Sequence, residues 1–180
     1  MKKTVEFIKP AAILLVVAAI VACVLGLVDM MTRDRIAANA EAKINAAMNA
    51  VLPADSYEQL DVEDNGEINA VYAAAGGGWV VQVTESGSQG TITLMVGVDA
   101  DLVCTGISVT DSSETAGLGA IAAQASDKGD AFRSQFIGQS GTVAVTKDGG
   151  EINALTGATI TSRAISTGVT AALALCETLG

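Results

Sequence analysis

The chain contains no histidine, and aromatic residues make up only 3% of it. Without imidazole there is no serine–histidine or cysteine–histidine catalysis, no histidine-ligated zinc and no histidine-held haem. The three cysteines, Cys23, Cys104 and Cys176, form neither a CxxC nor a haem-attachment pattern. They are too few for a disulfide framework. Cys104, in DLVCTGISV, reads as a small buried hydrophobe, and a Cys104–Cys176 pairing stays open. Basic residues are scarce too: none occurs between Lys43 and Lys128. From Asp29 onward 7 basic residues face 19 acidic ones. Such a surface repels nucleic acid phosphates, so no nucleic-acid partner is expected.

What is plentiful is small and apolar: alanine, glycine and valine dominate. Pro10 to Val28, PAAILLVVAAIVACVLGLV, runs 19 residues without a charge. At about 1.5 Å per residue that matches the hydrocarbon thickness of a bilayer, and a single transmembrane helix is predicted. Lys2, Lys3 and Lys9 favour a cytoplasmic N-terminus with the body on the outer face, and an inner-membrane location is the expectation. IVAC (Ile20 to Cys23) has the look of a lipoprotein cleavage site. The apolar run continues past it, so an uncleaved anchor is the expectation. Residues 1–9 are then cytoplasmic, 10–28 span the membrane and 29–53 form a helical stalk that Pro53 ends. Residues 54–180 form an extracytoplasmic domain.

WVVQVTES and TITLMVGVDADLVCTGISVTDSS alternate as strands do, with a turn near Asp99–Asp101. ETAGLGAIAAQASDKGDAFRSQFIG is a glycine-punctuated loop with short helices. GTVAVTKDGGEINAL suggests a hairpin around Gly149–Gly150. The last segment is helical, with Ile165, Val169, Leu173 and Cys176 on one face. The class is α+β with a small antiparallel sheet behind a single transmembrane helix and stalk.

The most unusual stretch is ALTGATITSRAISTG (Ala154 to Gly168), crowded with hydroxyls where a helix begins. Capping by Thr159, Thr161 or Ser162 is one reading. The other is a phosphate site, because a helix N-terminus offers free amides and the positive end of the dipole, while Gly157 lets the backbone come close.

TGATITSRA resembles the flavinylation motif D-x-x-(S/T)-G-A-T of FMN-binding subunits, with Thr156, Gly157, Ala158 and Thr159 filling its last four positions. SSETAGLGAI resembles the family's E-T-P-G-L-G motif at Glu114, Thr115, Gly117, Leu118 and Gly119. Together with the anchor and the AVLP that ends the stalk, the chain resembles the G-subunit family of the Rnf electron transport complex. Asn153 stands where the first motif has Asp, Ala116 where the second has Pro, and Ser112 or Ser113 where a His is common. SGSQGTI (Ser86 to Ile92) replaces a glycine–tyrosine segment.

The resemblance implies FMN bound covalently to Thr159 through a phosphoester. Thr156, Gly157, Ala158, Glu114, Thr115, Gly117, Leu118 and Gly119 would form the cofactor site. It implies no catalytic side chain and no metal, because the flavin carries the electrons. It also implies a redox subunit of an ion-translocating oxidoreductase, moving electrons between ferredoxin and NAD while sodium ions or protons cross the membrane. The partners would be the other Rnf subunits and a flavin transferase. The C subunit of the sodium-pumping quinone reductase carries the same attachment motif. A non-redox anchored binding or scaffolding module is the alternative from a different class. Trp79 is either core or a flavin stacker. Glu114 is either a loop anchor or part of the site. An acidic surround would push the flavin potential down.

Overall fold

A computed structural model describes residues 2–62 and 66–180, with side-chain surroundings from residue 12 onward. The side chains of Lys2, Lys3 and Lys9, on which the orientation rests, lie outside the described ones. The chain divides into two units, Met1–Ala42 and Lys43–Gly180.

The first unit is helix throughout its described length, part of α1 (Lys2–Val51). Every large aliphatic side chain from Ile13 to Val28 is more than half exposed. In water that surface would be a liability, whereas in lipid it is the expected one. Among the described residues this is the one helix long and apolar enough to cross a membrane. Arg33 and Asp29, an i,i+4 pair joined at 2.6 Å, follow directly.

The second unit is built on a five-stranded antiparallel meander in sequence order: β1 (Tyr57–Leu60), β2 (Ile68–Ala74), β3 (Trp79–Ser86), β4 (Thr91–Val98) and β5 (Cys104–Ser112). Alternation along the central strands sends side chains to two apolar layers. Val80 and Met95 point to one face, where Ala47, Met48 and Val51 at the end of α1 pack. Val81, Val83, Leu94 and Val96 point to the other. There the C-terminal helix α3 (Thr159–Leu179) buries Ile165, Val169, Leu173 and Cys176, as its periodicity predicts. The α1 end comes very close to the sheet. Gly97 and Gly106 are cross-strand partners, and a Cβ on Gly97 would lie 2.5 Å from the Val51 carbonyl oxygen. The Thr105 hydroxyl donates to that oxygen at 2.5 Å.

Between β5 and α3 run a short 3₁₀ turn (Gly119–Ala123), α2 (Asp127–Ser134) and a second 3₁₀ turn (Thr146–Asp148). Ser126 caps α2 by accepting from the Gly129 amide. Phe132 and Phe136 pack edge to face in the core. Two features depart from the sequence reading. The acidic stretch before Gly76 contributes β1 and β2, which its scattered apolar residues did not announce. The segment around Gly149–Gly150 is no hairpin of strands. The chain folds back through the 3₁₀ turn and is closed by the single bridge Val145–Ile152. Gly150 sits so close to the Ala144 backbone that no Cβ would fit there.

Candidate functional site

The loop Asn153–Ala158 carries the hydroxyl-rich motif into α3, and its environment decides between capping and ligand binding. Half of the hydroxyls are consumed inside the protein. Ser162 Oγ donates to the Ala158 carbonyl at 3.0 Å and accepts from the Leu155 amide at 3.0 Å. Ser166 Oγ donates to the Ser162 carbonyl at 3.0 Å. Thr161 Oγ1 donates to Glu114 Oε2 at 2.6 Å.

Thr156, Thr159 and the exposed Thr167 differ: among the described residues their hydroxyls have no hydrogen-bond partner, and only the first two lie at the start of α3. The N-cap of α3 is Ala158, which has no side chain able to cap. The α3 ladder begins with Ser162 N–H donating to the Ala158 carbonyl, so the amides of Thr159, Ile160 and Thr161 precede it. The helix therefore starts with free donors beside a free hydroxyl, an arrangement suited to an anion.

Glu114 organises the second motif. Its Oε1 accepts from the amides of Ser88 (2.7 Å) and Gln89 (3.1 Å), and its Oε2 takes the Thr161 hydroxyl. Burial raises its pKa, but the Thr161 hydroxyl and the amides of Gln89, Ser88 and Gly90 together outweigh that. The carboxyl ends below its ordinary value. One side chain thus joins the SGSQGTI turn, the ETAGLG loop and the first turn of α3. Gly119 is buried against it, in a space where a Cβ would approach Thr161 Oγ1 to 2.6 Å. The Thr115 carbonyl closes the loop by accepting from Leu118 N (3.2 Å) and Ala120 N (3.3 Å). Leu118, 44% exposed, reaches over Gly157. Gly157 has φ +77°, and a Cβ there would lie 3.1 Å from Leu118 Cδ2. The two motifs, distant in sequence, meet at this contact.

Two clefts flank the loop. The smaller, about 330 Å³, is lined by Thr146, Lys147, Asn153–Gly157 and Thr159. The larger, about 510 Å³, is lined by Gly117, Ile121, Lys128, Ala131, Phe132, Gln135 and Asn153–Thr156. Thr156, Gly157, Thr159 and Gly117 line these clefts. Glu114, Thr115, Leu118, Gly119 and the buried Ala158 are not among the lining residues of either cleft. Asn153 is held by Gln135, whose Oε1 accepts from the Asn153 amide at 2.8 Å and from its Nδ2 at 3.1 Å. Arg163 forks onto Asp148 at 2.5 and 2.6 Å, pinning the 3₁₀ turn that carries Lys147 to the start of α3. This pairing lowers the Asp148 pKa and raises that of Arg163. Trp79 stands at the far end of β3, half-buried against the core and the C-terminus.

Sequence reasoning missed Lys128, Lys147 and Gln135. A signal was present: all four basic residues after Lys43 fall between positions 128 and 163, the stretch that surrounds Thr159.

Residues 1–51 match the RnfG N-terminal region, and residues 87–174 match the FMN-binding domain. The chain belongs to the RnfG family. It is 33% identical to the G subunit of the Na(+)-translocating ferredoxin:NAD(+) oxidoreductase complex of Acetobacterium woodii, over 95% of this chain and 92% of that one. It is 30% identical to the G subunit of the ion-translocating oxidoreductase complex of Methanosarcina acetivorans, over 92% of each. With the corresponding Escherichia coli protein it shares 32% identity over 84% of this chain and 82% of the relative. The FMN-binding match spans both the Glu114 loop and the Thr159 loop.

Proposed function

We propose that the protein is the membrane-anchored electron carrier of an Rnf-type complex, holding FMN through a phosphoester between the cofactor's phosphate and Thr159 Oγ1. The observation that carries this reading is the unpartnered Thr159 hydroxyl at the uncapped start of α3, beside free amides and Lys147. These residues fit a phosphoryl group in charge, donor supply and access. The left-handed Gly157 lets the backbone come close without a side chain in the way.

The flavin, when bound, supplies the electron-carrying chemistry that no side chain here provides. The chain's own residues position it. Thr159 tethers it, the α3 amides and Lys147 neutralise the phosphate, and Leu118 offers an apolar contact. Glu114 keeps the two motif loops together. Electrons would pass to and from the other Rnf subunits, between ferredoxin and NAD, while sodium ions or protons cross elsewhere in the complex. The apolar stretch Pro10 to Val28 has no charge with which to build an ion path. Residues 10–28 span the inner membrane with residues 1–9 in the cytoplasm. The domain from residue 54 lies outside, and a flavin transferase makes the ester.

In-gel flavin fluorescence tests the attachment site. In a host that flavinylates its proteins, fluorescence should survive denaturing electrophoresis in the wild type and in Thr167→Ala. It should vanish in Thr159→Ala. Persistence in Thr159→Ala would move the linkage to another residue.

A further inference from the structure

The two clefts share the wall Asn153–Thr156 but differ in chemistry. The smaller has Thr159 and Lys147 and suits the phosphate. The larger has Ile121, Phe132 and Leu155 as apolar surfaces, and its volume of about 510 Å³ lies within the range of small-molecule sites. Phe132 is 2% exposed and backed edge-on by Phe136, so this wall is fixed.

Each cleft is lined by one lysine. Of the basic residues beyond Lys43, Arg133 is committed to Asp130 and to the carbonyls of Ala122 and Gln124. Arg163 is committed to Asp148. Among the described residues Lys128 and Lys147 have no ion pair, and Lys128 is the one cation lining the larger cleft. Asp127 adjoins Lys128 on α2, whereas the Asp130 carboxylate is held by Arg133.

The geometry points to Lys128 as a positioning residue for the flavin ring: Lys128 lines the apolar cleft that takes the isoalloxazine, and its charge raises the reduction potential against the acidic field of the domain. This rests on the FMN reading above. Uptake of two electrons and one proton adds one negative charge to the ring, and a nearby ammonium favours that form.

Two arms test it. In the FMN-loaded chain, dithionite titration should show Lys128→Gln with a lower midpoint potential than wild type and an unchanged FMN mass increment. Lys128→Arg should restore the potential. Lys43→Gln, which makes the same change in net charge elsewhere, should leave it in place. The Lys128→Gln shift should shrink at high salt. An unshifted midpoint in Lys128→Gln, or an equal shift in Lys43→Gln, would overturn the assignment.

The second arm uses riboflavin, which has no phosphate, with the Thr159→Ala chain. Fluorescence quenching should report binding, weakened several-fold when Ala131→Trp fills the cleft. Circular dichroism would check that the fold persists. Absence of quenching, or quenching indifferent to Ala131→Trp, would place the ring elsewhere. A wild-type chain without any FMN increment would instead defeat the carrier reading, with the riboflavin arm still judging the cleft.

Discussion

At the scale of single residues, two carboxylates respond to pH in opposite directions. Glu114 has a folded pKa below its ordinary 4.5. The stability it contributes is therefore present above pH 4.5 and is lost as the pH falls through the folded value. Glu114→Gln should lower thermal stability at pH 7, by about 1 kcal/mol for a network open to solvent, and the two curves should converge in acid. Glu85 behaves oppositely. Burial first, then the hydrogen bond and like charge of Glu67, raise its pKa from 4.5 to about 7. The folded state holds the proton longer, so stability falls as the pH rises from 4.5 to 7. Glu85→Gln should raise the melting temperature at pH 8 and leave it unchanged at pH 4. Gly157→Val should cost about 1–2 kcal/mol for the left-handed backbone alone. It would also crowd Leu118, so FMN incorporation should fall with it. The placement of Thr159 and Gly157 at the start of α3 was legible in the sequence because the glycine and the hydroxyls mark a loop entering a helix. Lys128 and Lys147 were not, because nothing local in a lysine tells a solvated charge from one facing a cleft.

At the scale of elements, α3 contributes a buried stripe to the domain core and a solvent-facing N-terminus to the site. Leu173, 1% exposed, fills the space between helix and sheet. Leu173→Ala should cost about 2–5 kcal/mol in denaturant unfolding without moving Thr159 chemically. The thiols on β5 and α3 belong to the same core. Burial pushes Cys176 up to about 12 and Cys104 up to about 11. Both are free thiols. Neither should react with a thiol reagent at pH 8 until the domain unfolds, and rapid labelling of the native protein would contradict their placement. The helix and strands β3 to β5 could be read from periodicity alone. β1 and β2 could not: β1 is YEQL and β2 INAVYAA, and much of their support comes from pairing across the sheet rather than from their own composition. The Asp148 turn was misread as a hairpin because two adjacent glycines suit either geometry, and the Arg163 fork that fixes it comes from another element.

At the scale of the whole molecule, an apolar segment with its side chains exposed precedes an acidic domain with few basic residues. A chain with one apolar helix long enough to cross a membrane and an FMN-binding domain behind it fits the proposed part of an electron relay. The most direct test of that account is peptide mass spectrometry of the membrane-extracted protein from a flavinylating host. The peptide spanning Leu155 to Arg163 should carry the mass of one FMN less one water, localised to Thr159. An unmodified peptide, in a host shown to flavinylate other proteins, would contradict the account.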